Sequence, residues 1–340
     1  MNDISVFLGA NTDRGFFSLY DEAIGALELK RLYVLKGSAG CGKSGLMKKL
    51  AACSSNEGLR TVRILCSGDP DSLDGVVLPD MGIAVFDGTS PHVLEPSLVG
   101  ERGFYIDLSR FYTTPAQGLA RWDEDYREHY RKAYRYLASA GSLEHVYRCS
   151  EETRREIRQR AASLAARSLG RGKCEGSVRR CFTDAFTCRG FISLAESRRA
   201  MAPRLISLTG SEERADIFLQ AFLEAALERG RQVVLCPHPR DPKRIAHLLL
   251  PELGLGLTTG EGDRRIHLEK LGPPLSEAEK EELRALEQLR SSLLLHAQSE
   301  LSLAKKGHDR LEAAVHPCID FDAVTKETGG IVRSILDDRA

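Results

Sequence analysis

The chain repeats itself, and the repeat constrains its fold more than any other feature. Laying Phe7 to Leu19 on Phe182 to Leu194 pairs Phe7 with Phe182, Ala10 with Ala185, Thr12 with Thr187 and Arg14 with Arg189. Gly15, Phe16, Ser18 and Leu19 then meet Gly190, Phe191, Ser193 and Leu194, making eight identities in thirteen positions. Further on, Arg31 to Ser38 falls on Arg204 to Ser211, and Thr61 to Cys66 falls near Arg231 to Cys236. Asp69-Pro70 matches Asp241-Pro242, and Leu78-Pro79 matches Leu250-Pro251. A period of about 173 residues is the size of a domain and far too long for a solenoid unit. Two similar halves follow, with the division near residue 175 of the 340.

Within the first copy, Gly37-Ser38-Ala39-Gly40-Cys41-Gly42-Lys43-Ser44 meets the phosphate-loop pattern G-x-x-x-x-G-K-[ST] at every specified position. In such a loop the glycines let backbone N–H groups turn inward around a phosphate, the lysine reaches the β and γ oxygens, and the hydroxyl ligates Mg²⁺. The flanks agree with the motif. Arg31 to Lys36 reads as a short buried strand, and Leu46 and Leu50 recur with helical spacing after the loop. The sequence therefore predicts an α/β protein of two tandem doubly wound P-loop NTPase domains with parallel sheets and added helical segments. Its first domain spans residues 1–175 with a helical insert over about 116–170, and its second spans 176–340 with a helical segment over about 275–307.

A phosphate loop needs an acid at the end of a neighbouring strand to hold or orient Mg²⁺. Ile83-Ala84-Val85-Phe86-Asp87 supplies an apolar strand ending in Asp87. In the second copy Leu253 to Thr259 ends in Thr259, and gap-free counting turns Lys43 into Asp216 and Ser44 into Ile217. That copy also gains Glu212 and Glu213, whose carboxylates would repel a polyphosphate. One competent site, beside one degenerate copy, is expected.

Other candidates sit where strands should end. Asp69 and Asp71, near Ser72 and Asp74, could act as a general base toward an acceptor hydroxyl, or could simply cap the turn at Pro70. Ser90, Pro91, His92 and Glu95 follow Asp87, and His92 or Glu95 could orient a water. Arg14 and Arg189 both persist although only one copy keeps its lysine. Each is therefore either a turn residue or an arginine finger reaching across a pseudo-twofold axis.

The helical stretches are legible from charge and caps. Trp122 to Leu137 carries Asp123 with Arg127 and Glu128 with Lys132 at helical spacing, and Ser150 can cap a helix through Ile157 and Leu164. Ser276 to Lys306 is rich in Leu and Glu. Basic residues outnumber acidic ones from Arg121 to Ala200, yet aromatic residues are too sparse there for a nucleic-acid surface to be the leading reading. Lys+Arg and Asp+Glu are equal at 48 each, so no global polyanion signal exists. Nine cysteines without a C-x-x-C pair fit reduced thiols, and neither a secretory signal nor a run of about eighteen apolar residues is visible. A cytoplasmic location is the expectation. Cys174, Cys181 and Cys188 recur every seven residues, but Gly176 argues against one helical metal face.

Phe-Leu-Gly-Ala-Asn-Thr at 7–12, Gly-Phe-Phe-Ser-Leu-Tyr at 15–20, the phosphate loop, Asp-Pro-Asp-Ser-Leu-Asp-Gly-Val-Val-Leu-Pro at 69–79 and Phe-Asp-Gly-Thr-Ser-Pro-His at 86–92 together carry a resemblance. With these motifs the chain resembles the uncharacterised tandem P-loop ATPase-like proteins of Firmicutes and related bacteria, sometimes labelled nucleotide-kinase-like. The resemblance is strong over residues 1–110 and weaker beyond. It implies ATP binding and hydrolysis, with no known pathway. Both halves of that family usually look intact, and this chain departs from them at Asp216, Ile217 and Thr259. The expected function is thus an Mg-dependent ATPase with ATP and Mg²⁺ as cofactors. Two alternatives are a small-molecule or nucleotide kinase using Asp69 or Asp71 as base, and a nucleotide-switched module for an unidentified partner. Neither N-K-x-D nor D-x-x-G occurs near the loop, so guanine specificity has no support.

Overall fold

A computed structural model describes residues 3–90, 93–143, 149–172 and 174–337. The first copy runs β1 (Ile4–Phe7), β2 (Gly9–Thr12), β3 (Gly15–Ser18), α1 (Tyr20–Gly25), β4 (Arg31–Lys36), α2 (Lys43–Asn56), β5 (Val62–Leu65), β6 (Leu73–Leu78), β7 (Ile83–Asp87), β8 (Gly103–Asp107), α3 (Leu119–Ser142) and α4 (Glu151–Ser168). The second runs β9 (Ser177–Arg180), β10 (Asp184–Thr187), β11 (Gly190–Ser193), α5 (Ala195–Met201), β12 (Arg204–Thr209), α6 (Glu212–Glu228), β13 (Gln232–Pro237), β14 (Ile245–Leu250), β15 (Leu255–Thr258), β16 (Arg264–His267), α7 (Glu277–Val315) and α8 (Phe321–Asp337).

Among the described residues twelve strands form two six-stranded sheets, ordered β1-β5-β6-β7-β4-β8 and β9-β13-β14-β15-β12-β16, and the other four form the antiparallel hairpins β2-β3 and β10-β11. The two orders are the same element for element, so the duplication seen in the sequence is a duplication of topology. The sheets are mixed rather than wholly parallel. Within these sheets β6 runs antiparallel to β5 and β7, and β14 antiparallel to β13 and β15, while the other pairings are parallel. The physical reason is connection length. Only a few residues join β5 to β6 and β6 to β7, enough for a hairpin and too few for a parallel crossover. β6 is buried at every residue, as is β14, and shows no alternation that would mark it as a strand.

The halves meet about a pseudo-twofold axis that passes between a residue and its own duplicate. The Phe7 N–H donates to the Phe182 carbonyl at 2.8 Å and the Phe182 N–H donates back to Phe7 at 2.8 Å. Both rings are fully buried in a core shared by Val6, Ile64, Phe86, Ala185, Leu205 and Leu249 from the two sheets.

The helical arms cross over. α8 packs on α2 of the first copy, burying Val324, Val332, Ile335 and Leu336 with Leu46, Met47 and Leu50. α4 packs on α6 of the second, burying Ile157, Ala161 and Leu164 with Phe218, Leu219 and Phe222. Residues 1–175 and 176–340 therefore each lend their last helix to the other sheet. α3 and α7 lie together along the axis, and their approach is close because Gly307 has no side chain: a Cβ there would stand 2.9 Å from Tyr126 Cβ. Ser150 caps α4 as its position suggests, and Ser276 caps α7 in a full capping box with Glu279. α7 extends to Val315, past the expected end near Lys306. No helix among the described residues is long and apolar enough to cross a membrane.

Candidate functional site

The loop at Gly37 to Ser44 joins β4 to α2. Gly37, Gly40 and Gly42 have φ of 137°, 75° and 99°, backbone settings that side chains resist. Gly42 is the last residue before α2, so the helix N-terminus with its free N–H groups opens directly onto the loop. Lys43 is the first helical residue and is buried. Its Nζ donates to the carbonyls of Gly37 at 2.7 Å and Ser38 at 2.8 Å, and stands 3.8 Å from Asp87 Oδ2. The ammonium thus lies inside the curve of the loop and faces the acid at the end of β7.

Asp87 is held by its own turn. Its Oδ1 accepts from the Thr89 N–H at 2.9 Å and the Thr89 hydroxyl at 2.6 Å, which leaves Oδ2 toward Lys43. Ser44 Oγ accepts the Leu73 N–H at 3.1 Å, an arrangement that keeps its own proton free to turn. Ser38 is tied to the Tyr112 hydroxyl. Cys41 is fully buried, and burial pushes its thiol above the usual range despite neighbouring Lys43, so it serves as packing. Ala39 completes the loop without a side-chain role. The sequence-predicted set of Lys43, Ser44 and Asp87 is therefore brought together.

Asp69 and Asp71 lie in the β5 to β6 turn. Asp69 Oδ1 accepts from the Asp71 N–H at 3.2 Å, and in the second copy Asp241 Oδ1 accepts from Lys243 at 3.4 Å. The same turn in both copies explains why Asp-Pro persists in each. Asp69 also meets Lys305 of α7 at 3.3 Å, and Asp71 pairs with Arg189. His92 lies outside the described residues. Glu95 binds the Lys36 ammonium at 3.3 Å, and its carboxyl is held below the usual range by the Tyr105 hydroxyl and Lys36. Glu95 is thus occupied at the sheet edge.

Arg14 and Arg189 occupy the same place in matching hairpins. Thr12 and Thr187 each donate to the carbonyl of the following glycine, at 2.7 and 3.0 Å, and accept the arginine N–H at 3.1 Å. Thr and Gly are fixed by that turn; the arginine side chains are not. Arg14 lies 3.8 Å from its neighbour Asp13, whereas Arg189 crosses to Asp71 beside the first copy's loop. The cysteines at 174, 181 and 188 are dispersed: the first is exposed, the second buried beside Cys236, and the third in the β10 to β11 turn. They share no helix face.

The second copy's loop differs from the gap-free reading. Asp216 Oδ1 accepts the Ile245 N–H at 2.8 Å, the same bond that Ser44 makes with Leu73 at the start of the equivalent strand. Buried positions agree with this register: Leu46, Met47 and Leu50 of α2 correspond to Phe218, Leu219 and Phe222 of α6. Asp216 stands in Ser44's place, so Lys43's counterpart is Ala215, and one residue of the loop has been deleted. α6 starts at Glu212, three residues before Ala215, so an extra helical turn replaces the loop. The β5 alignment shifts likewise: Val62 pairs Val77 as Val234 pairs Leu249, which sets Cys66 against His238. Thr259 does fall at Asp87's position, one residue beyond Thr258, which pairs with Ser207 as Phe86 pairs with Val34. Glu213 does not face a phosphate either; it anchors the α4 arm through Arg154 and the Cys149 N–H.

Sequence reading missed a buried polar chain in the second copy. Arg198 meets Asp184 at 2.7 Å, His247 Nε2 donates to Asp184 at 2.7 Å, and the Thr258 hydroxyl donates to His247 Nδ1 at 2.8 Å. Burial holds the imidazole below its usual range, so it is neutral, and His247 with Arg198 hold the Asp184 carboxyl well below the carboxylate range against its burial. With Thr258 fully buried, the chain is a structural lock. The first copy has Gly75 and Phe86 at the matching strand positions, which gave no signal of it.

No family model, curated protein or solved structure matches the chain.

Proposed function

We propose that the first copy binds Mg·ATP and hydrolyses it, and that the second copy supports this site without a second phosphate loop. The observation that carries the reading is the convergence of Lys43, Ser44 and Asp87 at a helix N-terminus that opens onto a loop of left-handed glycines. The residues fit the group: three glycines leave backbone N–H groups unshielded, one ammonium faces inward, and one hydroxyl and one carboxylate of hard oxygen are at hand. Mg·ATP, when bound, supplies the phosphoryl group whose transfer to water is the reaction. Lys43 would exchange its loop carbonyls for β and γ oxygens. Ser44 and Asp87 would hold Mg²⁺, directly or through water, with Thr89 fixing the angle of Asp87.

The kinase alternative is disfavoured by the charges on its base. Asp69 is paired with Lys305 and Asp71 with Arg189, so each carboxylate is engaged by a cation rather than open to an acceptor hydroxyl. The test compares wild type with Asp87→Asn. Asp87→Asn is expected to keep ATP affinity within about tenfold while phosphate release falls about 100-fold or more, the scale of losing one electrostatic partner in a transition state. Unchanged release would remove Asp87 from the site.

A further inference from the structure

The second copy, having lost the loop, marks which further side chains belong to the site of the first. It holds a cavity of about 360 Å³ whose lining includes Gly210, Ala215, Ala246 and Thr259. Gly210 stands at the place of Gly37, Ala215 at that of Lys43 and Thr259 at that of Asp87. Ala246 stands at the place of Asp74, since Gly75 pairs with Phe86 as His247 pairs with Thr258. The Thr259 N–H donates to the Ala246 carbonyl at 3.1 Å, the step of the ladder that Asp87 and Asp74 occupy in the first copy. Asp74 is thus a position of the phosphate site, and it is an acid only in the copy that keeps Lys43.

Asp74 is buried, and its Oδ2 accepts from the Tyr20 hydroxyl at 2.9 Å. Burial and then Asp74 push that hydroxyl well above its usual range, with Cys66 and Asp87 adding to the effect, so Tyr20 stays protonated and donates. The Cys66 thiol lies against the same carboxylate and is held protonated by burial and by Asp74. One residue before Asp74, the Leu73 N–H donates to Ser44 Oγ at 3.1 Å, so the strand that carries the acid also touches the Mg²⁺ ligand of the loop. Packing does not call for these groups. Leu73, Val76 and Leu78 correspond to Ile245, Leu248 and Leu250 and stay apolar, whereas Tyr20 corresponds to Ala195 and Asp74 to Ala246. The buried polar chain of the second copy uses other positions, with Asp184, Arg198 and His247 standing where the first has Gly9, Ala23 and Gly75. A carboxylate costs free energy to bury, and the duplicate assembles without one here.

We propose, resting on the ATPase reading, that Asp74 is a catalytic residue that orients the attacking water, with Tyr20 as its positioning residue. Asp74 accepts a hydrogen bond from that water. The water oxygen forms its bond to the γ-phosphorus as the bond from phosphorus to the β–γ bridging oxygen breaks; the leaving oxygen keeps that electron pair, and the water's proton passes to Asp74. Tyr20 fixes one carboxylate oxygen and so aims the other, where the thiol of Cys66, a weak donor, yields to the water. Two acids then divide the work, Asp87 serving the metal and Asp74 the water.

The test measures ATP binding by calorimetry, and phosphate release against ATP and Mg²⁺ concentration, on the full chain as wild type, Asp74→Asn and Tyr20→Phe. Asp74→Asn is expected to lower kcat at least about 100-fold, with ATP affinity and the Mg²⁺ concentration for half-maximal release each within about threefold of wild type. Tyr20→Phe is expected to lower kcat about fivefold at unchanged affinity, the scale of one hydrogen bond. A loss in Asp74→Asn below about tenfold would overturn the proposal, and a Mg²⁺ requirement raised more than about tenfold would do so by making Asp74 a metal ligand. A wild type that binds no ATP, or binds it without release, overturns the ATPase reading and this assignment together; an active wild type with an equally active Asp74→Asn overturns this assignment alone. If circular dichroism shows Asp74→Asn unfolded, Tyr20→Phe decides, and an unchanged kcat overturns the proposal.

Discussion

At the scale of single residues, the two copies show what each position was for. Lys43 and Ala215 are both buried at the first turn of equivalent helices, yet only the lysine can answer a polyanion. Ser44 and Asp216 make the same bond to a strand N–H, so that bond alone does not need a hydroxyl. His247 carries a pH consequence. Its imidazole is held neutral below its ordinary pKa near 6.5, so on acidification the unfolded chain takes up a proton before the folded one does. Asp184, held low in the folded state, gives stability that persists until the pH falls below the ordinary carboxylate range. Stability is therefore expected to fall from about pH 6.5 downward, and His247→Gln, though destabilised, should lose most of the slope between pH 7 and 5 in urea unfolding. An equal slope in the variant would place the titrating group elsewhere.

At the scale of elements, hairpin tips and helical arms tie the halves together. Arg189→Ala is expected to leave ATP affinity within about twofold and to lower turnover at least about tenfold, because the β10 to β11 tip brings its cation to Asp71 beside the loop. Unchanged turnover would reduce the contact to a solvent-exposed pair worth under about 1 kcal/mol. In α8, Ile335 is buried against the α2 core, and Ile335→Ala is expected to cost about 2–4 kcal/mol in urea unfolding; a cost below about 1 kcal/mol would mean α8 is not docked there. The strand, loop and helix around Gly37 to Ser44 were legible because each obeys a local rule. The same holds for Ser150, whose cap is written in the residues beside it. β6 was not legible, since a strand buried on both faces loses its alternation. α8 was not either, since Gly329-Gly330 interrupts its helical pattern and tertiary burial overrides the propensity. Nor could a gap-free alignment reveal the deleted loop residue; only the shared bonds of Ser44 and Asp216 fix that register. The cluster of Arg240, Arg244 and Arg290 around Glu212 escaped because Arg290 is far in sequence from the other two and meets them only through the fold.

At the scale of the whole molecule, duplication has produced two different connections on one frame, a glycine loop before α2 and an extra helical turn at the matching place in α6. The 39-residue α7 reaches both: Arg290 stands 3.5 Å from Glu212 at the start of α6, and a Cβ on Gly40 would lie 3.2 Å from Glu312 Cα. Because α4 and α8 exchange sheets, neither copy keeps its full core without the other, so the helix behind the glycine loop depends on the whole chain. The central claim is one Mg·ATP per chain, held by Lys43. The most direct measurement is ATP stoichiometry, with phosphate release, on wild type and Lys43→Ala. One ATP per wild-type chain, with affinity lowered at least about 30-fold and release abolished in Lys43→Ala, is the expected result, on the scale of losing charge-assisted bonds to a polyphosphate. Two ATP per chain, or binding undiminished in Lys43→Ala, would contradict it.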